Sequence, residues 1–190
     1  MQQLSGHSCF PYLYGFIEAG ALIMEHICSK DQKHDSTLRS FVKTKGTDRK
    51  GWFNIARKLV EALSFLHNKG ILHNDIHGEN ILIRPNGTPC LIDFGKATLI
   101  EAPLMYDIIP GNKEHRVNNS VHLHLSHELR NVRNSPQTIY TDIYSLGCNF
   151  LNIGKYQSIK EIFDVGGKMT VKDPRDRFNL IDCTVYLLKD

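Results

Sequence analysis

The 190-residue sequence lacks the features that would assign it to a specialised class of protein. No apolar run approaches the length of a membrane span, and the N-terminus has no signal-peptide pattern. The net charge is only +3, which gives no reason to expect binding to nucleic acid or to a membrane surface. Internal repeats and low-complexity segments are also missing. The remaining composition, 41% hydrophobic and 23% charged, predicts an ordinary globular protein with one sizeable core.

The cysteines do not form the pattern of a disulfide framework. There are five of them, an odd number, and their spacing is irregular. They are Cys9, Cys28, Cys90, Cys148 and Cys183. Such a set favours free thiols in a reducing compartment, so we expect a cytoplasmic, intracellular protein.

The most informative stretch runs from Ile71 to Gly95 and reads ILHNDIHGENILIRPNGTPCLIDFG. Its apolar segments predict short strands at Ile71–His73, Ile81–Ile83 and Leu91–Ile92. Asn86-Gly87 lies between the second and third strands and is typical of a hairpin turn, because both residues tolerate a positive φ angle. We therefore expect the third strand to return beside the second, next to the polar loop that precedes it.

Three polar residues should converge in this frame. The loop contributes Asp75 and Asn80, and the hairpin returns Asp93 beside Asn80. An Asp and an Asn at strand ends provide the hard oxygen ligands that suit Mg²⁺, which usually keeps phosphate oxygens as further ligands. A second Asp nearby can orient a hydroxyl nucleophile and accept its proton. The alternative is a plain hairpin with ordinary turn carboxylates.

At these residues the sequence resembles the protein kinases. His73-Asn74-Asp75 followed by Asn80 is similar to their H-R-D-x-x-x-x-N catalytic loop, and Asp93-Phe94-Gly95 matches their D-F-G motif. The resemblance implies an α+β, protein kinase-like fold with a mostly helical large lobe. It also implies ATP and a protein as substrates, Asp75 as catalytic base, and Asn80 and Asp93 as Mg²⁺ ligands.

The catalytic loop departs from the family pattern at two positions. Asn74 replaces an arginine that normally pairs with a phosphorylated activation segment, so we expect no phosphate switch of that type. His77, which we include among the catalytic residues, stands where Ser/Thr kinases carry a lysine that touches the γ-phosphate. Neutral imidazole is a weaker phosphate partner than ammonium. Asp75-Ile76-His77 also resembles the choline and aminoglycoside kinases, so a small-molecule phosphotransferase remains an alternative.

The first 28 residues resemble the end of a kinase small lobe. Phe10–Ile17 and Ala21–Met24 are strand candidates that match its last two strands, and the hinge follows them. Four residues are thereby implied to contact the nucleotide: Met24 as gatekeeper, Glu25 and Ile27 through backbone groups, and Leu82.

The kinase motifs that precede the hinge are not found. The 190 residues contain no G-x-G-x-x-G loop, and there is no room before the hinge for the strand lysine and the helix glutamate. We therefore interpret residues 1–190 as a partial kinase domain, with 1–28 as small-lobe remnant and hinge and 29–190 as large lobe. The chain is then either a fragment of a longer active kinase, with a Ser/Thr acceptor favoured, or a catalytically impaired, pseudokinase-like binding module. The oligomeric state is not predicted.

Two long helices are expected in the large lobe. The apolar residues of Trp52–Lys69 recur at three- and four-residue spacing, and Gly70 follows as a stop signal. Thr141–Gly147 resembles the start of the central buried helix, which we expect Gly154 to end. Asp142 at its beginning should accept hydrogen bonds from the backbone of the catalytic loop.

A distant salt bridge would separate protein kinases from the small-molecule phosphotransferases. Ser126-His127-Glu128 resembles the A-P-E motif only in its glutamate, and Asp173-Pro174-Arg175-Asp176-Arg177 resembles D-P-x-x-R. The resemblance implies a mostly buried Glu128–Arg177 pair, which is an architectural contact.

A histidine cluster precedes this glutamate. His122, His124 and His127 form an H-x-H-x-x-H pattern, which could indicate a zinc site. We favour a histidine-rich loop on the substrate side instead.

Overall fold

A computed structural model describes residues 4, 6–17, 21–27, 36–44, 46–106 and 124–188. Its helices are α1 Leu38–Phe41, α2 Arg49–Asn68, α3 His127–Asn131, α4 Ile139–Gln157, α5 Lys160–Met169 and α6 Leu180–Leu187, with a 3₁₀ turn at Pro174–Asp176. Its strands are β1 Leu13–Phe16, β2 Leu22–Met24, β3 Ile71–Leu72, β4 Ile81–Ile83, β5 Pro89–Leu91, β6 Thr98–Leu99, β7 Met105–Tyr106 and β8 Ser135–Pro136. The strands form antiparallel pairs, β1–β2, β3–β6, β4–β5 and β7–β8. The predicted combination of a helical body with short strands is confirmed.

Helix α2 starts earlier than its apolar pattern predicted. It begins at Arg49 because the side chain of Asp48 caps it, with Asp48 Oδ1 accepting a hydrogen bond of 2.7 Å from the backbone N of Gly51. Its buried face comprises Trp52, Phe53, Ile55, Ala56, Leu59, Val60, Ala62, Leu63 and Leu66. The predicted stop is confirmed, since Gly70 follows the helix with a φ of 72°.

Helix α4 does not end at Gly154 as the sequence suggested. It continues to Gln157 and is closed by Ser158, which adopts a left-handed conformation with φ 57°. Gly154 instead lies against α5, where an added Cβ would be 2.5 Å from the backbone N of Phe163. The glycine is therefore required for close packing of the two helices rather than for termination.

One hydrophobic core joins these helices to the β4–β5 hairpin. Helix α2 packs against α4 and α6, and α4 packs along α5. The core includes Leu63 of α2, Phe150 of α4, Ile162 of α5, and Ile81 and Leu91 of the hairpin, all of them buried. This packing places the polar loop between β3 and β4 on the buried helical body.

The expected Glu128–Arg177 pair is present. Arg177 Nη1 and Nη2 each donate a hydrogen bond of 2.7 Å to the Glu128 carboxylate, and the Arg177 side chain is fully buried. Arg177 also donates to the backbone oxygens of Val171 and Tyr140. Burial tends to raise the pKa of Glu128, but the hydrogen bonds from Arg177 outweigh it and lower that pKa. The pair ties α3 to the segment that precedes α6.

Two further expectations concern cysteines and membranes. Among the described residues, Cys9, Cys90, Cys148 and Cys183 form no disulfide, and Cys28 lies outside the described residues. Within the described ranges, no helix has the length and apolar character needed to cross a membrane. The division of the chain at residue 28 stays a prediction.

Candidate active site

The polar loop between β3 and β4 is held by hydrogen bonds from its backbone to Asp142 of α4. Asp142 Oδ2 accepts a hydrogen bond of 2.8 Å from the backbone N of His73, and Oδ1 accepts one of 2.9 Å from the backbone N of Asn74. His67 of α2 lies 3.1 Å from the same Oδ2. Asn74 has a φ of 67°, so the chain reverses here with its amides aimed at one buried carboxylate. The role predicted for Asp142 is confirmed.

His73 connects the loop to the β4–β5 hairpin. Its Nδ1 accepts a hydrogen bond from the backbone N of Asp75 at 3.3 Å, so the ring proton is on Nε2, which donates to the carbonyl of Ile92 at 3.0 Å. The imidazole ring also packs 4.8 Å from the ring of Phe94, centroid to centroid. Burial lowers the pKa of His73, which keeps the ring neutral in this position.

Asn80 lies between Asp75 and the start of the Asp93-Phe94-Gly95 motif. Asn80 Nδ2 donates to the backbone oxygen of Asp75 at 3.0 Å and to its Oδ2 at 3.3 Å. The backbone N of Ile92 donates to the Asn80 carbonyl at 2.9 Å, so Asp93 follows immediately after a residue bonded to Asn80. The hairpin thus brings these three residues into one region, as the sequence predicted.

The donor chemistry of this region fits Mg²⁺. Because Asn80 Nδ2 is used toward Asp75, its Oδ1 is the amide atom left for a ligand, and the exposed Asp93 adds a carboxylate. Asp93 Oδ1 also accepts a hydrogen bond from the backbone N of Gly95 at 3.2 Å. Across the described ranges, no group of three or more His, Cys, Asp or Glu residues could hold a metal. Asn80 and Asp93 are two oxygen ligands, the number that Mg²⁺ commonly takes from a protein when phosphate oxygens and waters supply the others.

The Asp75 carboxylate is surrounded by cationic and imidazole groups. Lys96 Nζ lies 2.9 Å from its Oδ2, while His77 Nε2 and His124 Nε2 lie 3.7 and 3.6 Å from its Oδ1. Burial opposes ionisation of Asp75, but contacts with His124, His77 and Lys96 outweigh it and hold its pKa well below the usual range. Asp75 is thus an ionised acceptor at neutral pH.

Two of these neighbours were not identified from the sequence. Lys96 follows the Asp93-Phe94-Gly95 motif directly, and a charged side chain there was the available signal. His124 was assigned to a histidine-rich loop on the substrate side without a role of its own, and its Nε2 faces Asp75, whereas His127 contacts Asn131. His122 lies outside the described residues. The described histidines therefore give no support to a zinc site.

Asp75 opens onto a cleft of about 880 Å³ between α1 and α4. The lining includes Arg39 of α1 and Tyr144, Asn149 and Tyr156 of α4. Gln137 also lines it, and within the described part of the chain its buried Oε1 has no hydrogen-bond partner. The cleft is large enough for an extended polar ligand whose reacting group reaches Asp75.

The four residues expected to contact a nucleotide lie outside this cleft. The Glu25 side chain forms a salt bridge with Arg84, with Oε2 2.5 Å from Nη2, and the Glu25 backbone N donates to the Tyr12 carbonyl at 2.8 Å. Met24 is 43% exposed, Ile27 is buried, and Leu82 is half-buried in β4. Their role in nucleotide binding stays a prediction.

Comparisons with known proteins agree with this geometry. The family model described as "Protein kinase domain" matches residues 2–178. Among curated proteins, the chain is 29% identical to the mitogen-activated protein kinase kinase kinase MST11 of Pyricularia oryzae, over 93% of this chain and 19% of that protein. It is 36% identical to the dual specificity protein kinase zak2 of Dictyostelium discoideum, over 56% of this chain and 16% of that protein. It is 33% identical to the probable serine/threonine-protein kinase samkB of the same organism, over 53% of this chain and 16% of that protein. The chain spans less than a fifth of the length of these relatives.

Proposed function

We propose that this chain, which belongs to the protein kinase domain family, is part of a kinase that transfers the γ-phosphoryl group of ATP to a protein hydroxyl. The observation that carries the proposal is the ionised Asp75 carboxylate, held on the wall of an open cleft and bonded to Asn80. A serine or threonine acceptor is favoured, because samkB is named a probable serine/threonine-protein kinase. The name of zak2, a dual specificity kinase, keeps tyrosine as an outcome to be tested.

Asp75 is proposed as the base. It accepts a hydrogen bond from the substrate hydroxyl, orients the oxygen toward the γ-phosphorus and takes the proton. As the hydroxyl oxygen bonds to the γ-phosphorus, the bond from that phosphorus to the β,γ-bridging oxygen breaks and ADP leaves. His77 and His124 support this role by facing the other carboxylate oxygen, Oδ1.

Asn80 and Asp93 are proposed as the residues that would hold Mg²⁺. When bound, this ion neutralises phosphate charge and orients the phosphate groups. The backbone groups of Glu25 and Ile27, with Met24 and Leu82, are proposed to contact adenine. The support for this assignment is the position of Glu25 at the end of β2, with its side chain held by Arg84.

The test compares Asp93→Asn with Asp75→Asn, each made in the chain fused to a kinase small lobe upstream of β1. Asp93→Asn should abolish Mg²⁺-dependent ATP binding, because it weakens the metal ligand. Asp75→Asn should leave binding near that of the parent and cut turnover, because its role is in the transfer step. The measurements are Mg·ATP titrations followed by radiolabelled phosphate transfer to a generic protein substrate. Loss of binding in Asp75→Asn with retention in Asp93→Asn would reverse the two roles.

A pseudokinase-like binding module is the second candidate. It is favoured by the crowding of Asp75, whose Oδ2 is contacted by both Lys96 and Asn80. A chain of this kind would bind nucleotide or a partner without phosphate transfer. We also propose a cytoplasmic location, which the odd number and irregular spacing of the five cysteines favour.

A further inference from the structure

The loop that carries Asp75 has no cationic side chain at the position where Ser/Thr kinases carry a lysine. His77 occupies that position and its Nε2 is 3.7 Å from Asp75 Oδ1. A permanent positive charge is nevertheless present, because Lys96 approaches from the other side of the hairpin. Its Nζ lies 2.9 Å from Asp75 Oδ2, and its side chain is 63% exposed on the wall of the cleft.

Asn74 holds the backbone of Lys96 in this place. Asn74 Nδ2 donates hydrogen bonds of 2.8 Å to the Lys96 carbonyl and to Thr98 Oγ1. Asn74 is itself buried, and Asp142 accepts a hydrogen bond from its backbone N. The two departures from the family pattern, Asn74 and His77, are thus linked through one lysine. Asn74, which replaces the arginine, positions Lys96, and His77, which replaces the lysine, faces the carboxylate oxygen of Asp75 that Lys96 does not contact.

We propose that Lys96, in place of a lysine at position 77, supplies the positive charge that contacts the γ-phosphate of ATP beside Asp75. This inference rests on the function proposed above. An ammonium group has three N–H donors, and within the described ranges Lys96 Nζ has a single hydrogen-bond partner, Asp75. The other donors are available to phosphoryl oxygens. Lys96 would balance their charge while the substrate hydroxyl bonds to the γ-phosphorus, its proton passes to Asp75, and the bond to the ADP oxygen breaks.

A purely structural ion pair makes a different prediction. A contact between the exposed Lys96 and the buried Asp75 that served only the fold would affect the stability of the chain, and its loss would not distinguish ATP from ADP. A contact with the γ-phosphate would distinguish them, because ADP lacks that group. The relevant quantity is therefore the ratio of the two nucleotide affinities, which can be measured without phosphate transfer.

The experiment titrates the parent chain and Lys96→Met with Mg·ATP and with Mg·ADP, up to millimolar concentrations, by amide chemical shifts. Lys96→Met should weaken ATP binding by about tenfold, the loss expected for one charge-assisted hydrogen bond, and should leave ADP binding unchanged. The matched control is Lys155→Met, which removes an exposed lysine of α4 outside the cleft and should change neither affinity.

A double variant tests whether the charge itself matters. His77→Lys combined with Lys96→Met returns a lysine to the other side of Asp75 and should restore the ATP affinity of the parent. Failure of this rescue, or equal weakening of both nucleotides by Lys96→Met, overturns the role of Lys96. If the parent binds both nucleotides, an unchanged ratio of the ATP affinity to the ADP affinity in Lys96→Met also overturns the role of Lys96. If the parent chain binds neither nucleotide, the proposed function fails and the role of Lys96 fails with it.

Discussion

At the scale of single residues, side chains from separate parts of the sequence converge on the Asp75 carboxylate: Asn80 from the same loop, and Lys96 from beyond the β4–β5 hairpin. Asp75 and Asn80 are five positions apart in one loop, and they are joined by hydrogen bonds from the Asn80 amide. Asp142 was recognised from its place at a helix start. Lys96 was missed because its side chain meets Asp75 only after the β4–β5 hairpin has turned the chain back, and no local pattern records that approach.

The Glu128–Arg177 pair leads to a prediction about pH. The pKa of Glu128 is lowered in the folded chain, whereas an unfolded glutamate titrates near pH ~4.3. Between those two values the unfolded state binds the extra proton, so stability rises with pH. The contribution of the pair is therefore fully present above pH ~4.3 and is lost as the pH falls through the lowered folded-state pKa.

The variant Glu128→Gln tests this dependence. Near neutral pH it should lower the free energy of unfolding by about 3 kcal/mol, because Arg177 is left buried beside a neutral acceptor. Denaturant titrations of both chains at stepped pH should show this difference shrinking below pH ~4. A difference that stays constant down to pH ~3 would mean that Glu128 does not titrate as the pair requires.

At the scale of elements, the sequence predicted the existence of the helices better than their ends. Helix α2 was identified from its apolar spacing, but its first turn carries Arg49 and Lys50, which have no apolar signal. Gly154 was interpreted as a stop because glycine is a common helix terminator. Its actual role depends on α5, a neighbour that local sequence does not specify.

Gly154→Ala should therefore destabilise the chain although alanine favours helix. The added Cβ would lie 2.5 Å from the Phe163 backbone, and such overpacking costs about 1–3 kcal/mol, against a propensity gain of about 1 kcal/mol. Gly167→Ala in α5 is the matched control, since its Cβ would meet nothing within 4 Å and the variant should be stabilised. The measurement is the denaturant midpoint of each variant, and a stabilised Gly154→Ala would contradict the packing argument.

At the scale of the whole molecule, the described residues comprise a well-packed helical body and the β1–β2 hairpin, whose large side chains are mostly exposed. Asp75 and Asn80 rest on the body, through α4 and the buried β4–β5 pair. The β1–β2 hairpin exposes large apolar side chains, with Tyr14 66% and Phe16 68% exposed. An exposed apolar sheet face of this kind is typical of a surface that packs against another element.

We predict that a kinase small lobe joined upstream of β1 will strengthen Mg·ATP binding and raise phosphate transfer by the chain. The described site supplies charge and ligands on one side of a nucleotide only, through Asp75, Asn80 and Asp93. These 190 residues contain no G-x-G-x-x-G loop to hold the phosphates from the other side. Positioning and charge stabilisation supply most of the catalysis in phosphoryl transfer, so the chain alone should bind Mg·ATP weakly and transfer little phosphate.

The experiment compares three proteins: the 190-residue chain, its fusion to a small lobe, and the same fusion with the strand lysine of that lobe changed to methionine. Robust transfer by the chain alone, unchanged in the fusion, would show that Asp75 and its neighbours suffice.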